Sequence, residues 1–242
     1  MAACLLPAIM WMLPGAFRDF SQSLVAVAFF ASNILFARER GYFAAASDEK
    51  PLLHTWSLAV EEQYYVIFPI LLILLWRFGR NPTLFVLAAL AFASFLLSEF
   101  PQLRNPSQHF FFSPARAWEL LAGSFCAFAV ANGPIRPNNW LSLLGLGLIG
   151  YSIFWFAGKT PFPSAYTLAP VMGTVLLVLF CTSQTWVCKI LSHRLPVGIG
   201  LISYSLYLWH QPLFAFARIR LELPPSQILM SGLIAVLLFS LI

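Results

Sequence analysis

Apolar residues in this chain come in long, almost unbroken runs. They show neither the alternation of a half-buried strand nor the one-sided stripe of a soluble helix. Nine runs stand out, at roughly 4–14, 20–37, 57–76, 83–98, 116–132, 140–157, 166–182, 197–217 and 226–242. A helix that is apolar all round is either deeply buried or bathed in lipid, and crossing a bilayer takes about 20 such residues. Several runs are shorter, which a tilted or re-entrant path accommodates. The gaps carry turn chemistry, as in Gly79-Arg80-Asn81-Pro82, Asn132-Gly133-Pro134 and Pro161-Phe162-Pro163. The pattern predicts an all-α, polytopic transmembrane helix bundle of about 8–10 helices, one domain over 1–242, without a sheet.

Composition agrees. Of 242 residues 60% are hydrophobic and only 10% charged, where soluble domains carry about 25% charged. Mean hydropathy is +0.80. A soluble domain of this length has too few polar groups to cover so much apolar surface, so lipid must serve as solvent for much of it. The net charge of +5 comes from 14 Lys and Arg scattered between the runs. No basic cluster is interleaved with aromatics, so the membrane, and not nucleic acid, is the expected partner. Alternate loops hold about 6 and about 8 of these cations, too even a split to assign sidedness. Cys4, Cys126, Cys181 and Cys188 have neither CxxC nor His/Cys metal spacing. They read as small apolar residues, and no metal site is expected.

Ionisable groups inside apolar runs cost about 2.5–3.5 kcal/mol each on insertion scales, so that is where chemistry is sought. The first place is His54-Thr55-Trp56-Ser57-Leu58-Ala59-Val60-Glu61-Glu62, leading straight into an apolar run. On a helix His54, Ser57 and Glu61 share one face. One acid can orient a hydroxyl or a histidine and the other can bond an arginine; alternatively both simply favour a helix start. The second is Arg116 and Glu119, three apart after Ser113-Pro114-Ala115. They can pair with each other, or Arg116 can hold the phosphates of an acyl donor while Glu119 faces a cavity. Gly123 would let another helix pack close. The third is Ser203-Tyr204-Ser205-Leu206-Tyr207-Leu208-Trp209-His210-Gln211-Pro212. Ser203, Tyr207 and His210 share a face, and Pro212 bends or ends the segment; the stretch lines a polar cavity or forms an interfacial aromatic belt. His109 and His193 sit in gaps without an acid at helical spacing and read as solvated or interfacial.

At these residues the chain resembles the acyltransferase type 3 family, bacterial membrane O-acyltransferases that modify sugars, lipopolysaccharide O-antigen and peptidoglycan. PLLHTWSLAVEEQYYVIFP is similar to that family's most characteristic stretch. FSPARAWELLAGS and SYSLYLWHQPL resemble two further segments, in the right order. The wording HTWSLAVEEQYY is most similar to the branch carrying a periplasmic SGNH hydrolase-like domain after the membrane part. The resemblance covers essentially the whole chain. It implies about ten membrane helices around a polar cavity, in the bacterial inner (plasma) membrane. It also implies transfer of an acyl group, commonly acetyl from acetyl-CoA, to a carbohydrate hydroxyl, with acyl-CoA as donor substrate and no bound cofactor. On this reading His54, Glu61, Glu62, Glu119 and His210 are the catalytic candidates, and Trp56, Ser57, Arg116, Tyr204 and Tyr207 the substrate-binding ones. Glu61 or Glu62, Arg116, Glu119 and His210 are expected to face one cavity.

Two features of the family have no counterpart here. Its members open with a helix bearing an arginine and then a histidine regarded as the base, and they carry an Arg-x-x-Arg pair whose positions fall on Met1 and Cys4. The sequence therefore reads as the central and C-terminal helices of such an enzyme, incomplete at the N-terminus and open to continuation at the C-terminus. This polypeptide alone is expected to be inactive. Two rival classes are a transporter or flippase, which also buries acids in a bundle, and a noncatalytic membrane remnant.

Overall fold

A computed structural model describes residues 2–39, 47–100, 109–157 and 160–221, and no strand occurs among them. In chain order the helices are α1 (Leu5–Trp11), α2 (Pro14–Ala28), α3 (Ser32–Arg38), α4 (Thr55–Trp76) and α5 (Arg80–Glu99). There follow α6 (Ala117–Ala131), α7 (Asn139–Trp155), α8 (Leu168–Phe180), α9 (Trp186–Leu191) and α10 (Arg194–Leu221). The chain forms two compact units, Met1–Gln63 with Val197–Ile242, and Tyr64–Pro196.

Two of these helices, α4 and α5, are long and apolar enough to cross a membrane. Only 11% and 22% of their most apolar windows are buried inside the protein, so they are not core helices of the folded chain. Tyr65, Val66, Ile67, Ile70, Ile73 and Leu74 all project from α4 into the surroundings. The helices α6, α7 and α8 are apolar but shorter. The run at 226–242 lies outside the described residues.

The first unit corrects two expectations about continuity. The run at 4–14 stops at Trp11, and Pro14, with its fixed φ and missing N–H, opens α2 as a first-turn residue. The run at 20–37 is two helices and not one. Phe30 takes a left-handed φ of 54°, and Ala31 N–H reaches back to the Ala26 carbonyl at 2.7 Å while Phe30 N–H reaches Val27 at 3.1 Å. That is the wrap-around end of a helix, made here by a phenylalanine where glycine is the usual occupant. The Gln63 carboxamide holds the corner, donating to the Phe30 carbonyl (2.7 Å) and the Asn33 side chain (2.9 Å). Ser32 donates to the Thr55 carbonyl at 3.0 Å, which ties α3 to the first turn of α4.

Pro212 does not end its helix. It lies inside α10, which runs on to Leu221. An interior proline costs about 3 kcal/mol, and packing offsets it: Phe216 is buried with Cys4, Ala8, Phe20 and Leu52. The rings of Trp11 and Phe20 meet Phe216 edge-on at 6.1 and 6.5 Å.

In the second unit Gly79, at φ 94°, turns α4 into α5, and the Thr83 hydroxyl closes the turn onto the Leu75 and Gly79 carbonyls. Asn138 caps α7 through the N–H groups of Trp140 (2.9 Å) and Leu141 (3.1 Å). The close helix contact falls at Gly145 and Gly173. A Cβ on Gly145 would lie 2.7 Å from the Gly173 carbonyl oxygen, and one on Gly173 would lie 2.8 Å from that of Gly145. Gly123, expected to serve such an approach, has nothing within 4 Å of where its Cβ would stand.

Opposite effects are therefore expected at these glycines. Gly145→Val should force α7 and α8 apart and lower thermal stability in detergent by several degrees. Gly123→Ala should leave it unchanged or raise it, because alanine in an open helix interior is favoured by about 0.5–1 kcal/mol. Circular-dichroism melts of both variants check this.

Candidate active site

His54 is the last residue before α4, at the end of a turn in which Leu53 N–H bonds the Lys50 carbonyl and Thr55 N–H bonds that of Leu52. Thr55 adds a side-chain bond to the Leu52 carbonyl at 2.6 Å. The turn is fastened to α10 by Gln211, which donates to the Lys50 carbonyl at 3.1 Å.

Tyr207 donates its phenolic proton to the His54 carbonyl at 2.6 Å. With that proton committed, the contact between the Tyr207 and Ser57 hydroxyls has Ser57 as donor. One turn on, His210 Nδ1 lies 2.6 Å from the Tyr207 carbonyl. A carbonyl can only accept, so Nδ1 carries the proton and Nε2 presents its lone pair. The His54 ring stands edge-on to those of Tyr207 and His210, each at 5.4 Å between centroids. It is buried, at 7% exposure, and neither of its nitrogens has a hydrogen-bond partner among the described residues. Burial, then the charge His210 would carry, push its pKa down to about 4, against a weak opposing pull from the Pro51 backbone.

Four of the residues singled out in the sequence thus meet: His54, Ser57, Tyr207 and His210. Glu61 stands one turn after Ser57 on α4, and the half-buried carboxylates of Glu61 and Glu62 make no hydrogen bond or ion pair among the described residues. Trp56 is half-buried. Tyr204 is not part of the cluster's interior: it is 64% exposed. Ser203, also exposed, bonds its own helix at Gly200, so the polar face of α10 begins only at Tyr207.

The second unit holds Arg116 and Glu119. They form an ion pair of 3.8 Å with Arg116 almost fully buried. Its Nε donates to the Phe110 carbonyl at 3.1 Å, and the guanidinium lies 5.0 and 4.4 Å from the rings of Phe110 and Phe162. Glu119 also faces a groove of about 470 Å³ lined by Ala122, Gly123, Cys126, Thr167 and Val171. The pairing read from this spacing is therefore present, and Glu119 in addition borders a groove. His109, read as solvated or interfacial, is buried at 4% exposure with Nε2 3.1 Å from the Ser98 carbonyl. Sequence reasoning passed over Gln63, which holds the corner at Phe30, and Gln211, which fastens the turn that ends in His54. Their signal was an uncharged amide inside an apolar run, weaker than that of a charge.

The described residues are all-helical, two helices are fit to cross a membrane, and the polar groups gather inside the protein at the start of one of them. The chain belongs to the acyltransferase family, whose acyltransferase domain matches residues 1–242. It is similar to peptidoglycan O-acetyltransferase OatA of Listeria monocytogenes, 27% identical over 233 residues, covering 89% of this chain and 37% of that protein. It is also similar to a putative O-acetyltransferase of Staphylococcus aureus, 30% identical over 213 residues (81% of this chain, 35% of that one). An uncharacterized protein of Haemophilus influenzae is 30% identical over 181 residues, 69% of this chain and 74% of its own. The chain spans little more than a third of the length of the named relatives. No solved structure matches.

The buried His54 gives a pH signature. Its folded pKa of about 4 lies below the ordinary 6.5, so between these values the unfolded chain binds a proton that the folded chain refuses. Stability is complete above pH 6.5 and falls as pH drops toward 4, by up to about 3 kcal/mol. Melts in detergent from pH 7.5 to 4.5 should show this loss, and His54→Leu should flatten it.

Arg116→Met should cost about 2–3 kcal/mol, since it strands the Glu119 carboxylate and the Phe110 carbonyl. The same melts at neutral pH measure it.

Proposed function

We propose that residues 1–242 belong to one membrane O-acyltransferase domain, multi-pass in the bacterial plasma membrane. It transfers an acyl group, acetyl by analogy with its relatives' names, from acyl-CoA to a hydroxyl of a cell-envelope carbohydrate. The observation that carries this is the cluster in which Tyr207 binds the His54 carbonyl and orients His210.

A sugar hydroxyl is a poor nucleophile at neutral pH and gains from a base in position. His54, its pKa pushed down to about 4, is a poor base at neutral pH, whereas His210 has its Nδ1 held by the Tyr207 carbonyl and its Nε2 lone pair left over. His210 is therefore assigned the proton transfer. Its Nε2 takes the hydroxyl proton as the oxygen attacks the thioester carbonyl carbon. The carbon–sulfur bond breaks, and the imidazolium returns the proton to the departing thiolate. The Ser57 and Tyr207 hydroxyls are committed to each other and to the His54 carbonyl, so they hold the rings and do not react. Glu61 and Glu62 offer free acceptor oxygens that fix an incoming hydroxyl, and Trp56, half-buried on the same helix, offers a ring face. Arg116, enclosed by Phe110, Phe162 and Glu119, serves to fix the start of α6 and not to reach the donor.

The test is transfer of labelled acetyl from acetyl-CoA to envelope glycans, in membranes of cells expressing the full coding sequence. His210→Gln should lower the rate about 10²–10⁴-fold. His54→Phe keeps the edge-on ring and should cost less than about tenfold. Full activity in His210→Gln would remove His210 as the base, and absence of any transfer by the parent would remove the reading.

A further inference from the structure

The first unit contains a second feature, apart from the groups assigned to the proton transfer. A cavity of about 480 Å³ opens between α1, α2, the turn before α4 and the end of α10, lined by Trp11, Asp19, Glu39, Glu49, Lys50 and Arg218 among others. Lys50 and Leu52 belong to the turn that ends in His54, so this cavity and the histidine cluster share one short segment of backbone.

Its charges are unevenly satisfied. Lys50 is paired with Glu39. Arg218 is paired with Asp48, donating to its carbonyl at 3.0 Å and lying 3.5 Å from its carboxylate. Both cations are therefore spoken for. The acceptors are not. The Asp19 and Glu49 carboxylates make no hydrogen bond or ion pair among the described residues, and the second oxygen of Glu39 is buried without a partner. Among the described residues the lining therefore offers more unpaired acceptors than unpaired donors. Trp11, 40% exposed and steadied edge-on by Phe216, adds a flat ring at the rim.

A phosphate-bearing molecule is the wrong occupant: three carboxylates against two occupied cations repel it. No three acids are placed to ligate a metal ion among the described residues. A ligand rich in hydroxyl donors with an apolar face answers the lining, since each hydroxyl satisfies a carboxylate oxygen and the ring packs on Trp11. We infer that this cavity recognises a sugar unit carrying no negative charge, that it discriminates against anionic sugars, and that it is the acceptor pocket of the enzyme. The last clause rests on the acyl-transfer reading; recognition of the sugar does not.

The experiment uses the full chain in lipid nanodiscs and two probes, the neutral disaccharide N,N′-diacetylchitobiose and the anionic digalacturonate. Binding is read by isothermal titration and saturation-transfer NMR. The neutral probe should bind at least about tenfold more tightly than the anionic one. Asp19→Asn should weaken the neutral probe about tenfold and narrow the discrimination, as expected for loss of a charged hydrogen bond. Trp11→Ala should weaken both probes. Glu49→Gln, at an exposed position that leaves the fold alone, gives the same direction as Asp19→Asn should the latter melt early. Equal or tighter binding of the anionic probe overturns the proposal, as does neutral binding indifferent to Trp11→Ala and Asp19→Asn, or no binding at all. Sugar binding with this pattern in membranes that transfer no acetyl would leave the recognition site standing and sink the acyl-transfer reading. Acetyl transfer with binding indifferent to the variants would do the reverse.

Discussion

In a chain with this little charge and this much apolar surface, a polar group has to be answered by another part of the same chain. Lipid offers no hydrogen bonds, and an unanswered group costs several kcal/mol. The hydroxyl groups show the rule in force. Ser32, Thr83, Ser98, Ser142 and Thr167, buried almost without trace of exposure, each donate to a backbone carbonyl. Ser94 both donates to the Pro114 carbonyl and accepts from Trp118 N–H, which seats the start of α6 against α5. Against that background the His54 ring stands out, because it too is buried and its nitrogens are left over.

The same rule links fold to chemistry. Tyr207 must place its hydroxyl somewhere inside the protein, and the place it finds is the carbonyl at the mouth of α4. One bond then fixes the rotation of α10 against the turn before α4, and with it the position of His210 one turn further on. Gln211 repeats the attachment at the Lys50 carbonyl. The turn at 50–54 is held from one side by α10 and from the other by α3 through Ser32. Preorganisation of this kind matters because a base displaced by an ångström loses much of its effect. In the second unit the rule produces a closed arrangement: Arg116 satisfies a carbonyl and a carboxylate and spends its remaining surface on two aromatic rings.

The parts of this that could be read in the sequence were those with a strong local signal. Apolar runs located α4, α5, α6, α7, α8 and α10 to within a few residues, and polar residues at helical spacing singled out His54, Ser57, Tyr207 and His210. What remained hidden depended on partners distant in the chain. The break at Phe30 carries no glycine or proline to announce it, and is held by Gln63 more than thirty residues away. Pro212 reads as a bend or an end of its helix until the burial of Phe216 beyond it is known. Gly123 and Gly145 look alike in sequence, yet only Gly145 meets another backbone. His109 reads as solvated or interfacial because the Ser98 carbonyl that receives it lies on another element.

The central claim is that the first turn of α4 and the middle of α10 are joined through the Ser57 and Tyr207 hydroxyls. A double-mutant cycle with Ser57→Ala, Tyr207→Phe and the pair, followed by unfolding in detergent, tests it most directly. A shared bond predicts that the double variant loses less than the sum of the singles, by about 0.5–3 kcal/mol. Strict additivity, within about 0.3 kcal/mol, would mean that the two hydroxyls act independently and that the cluster does not exist as described.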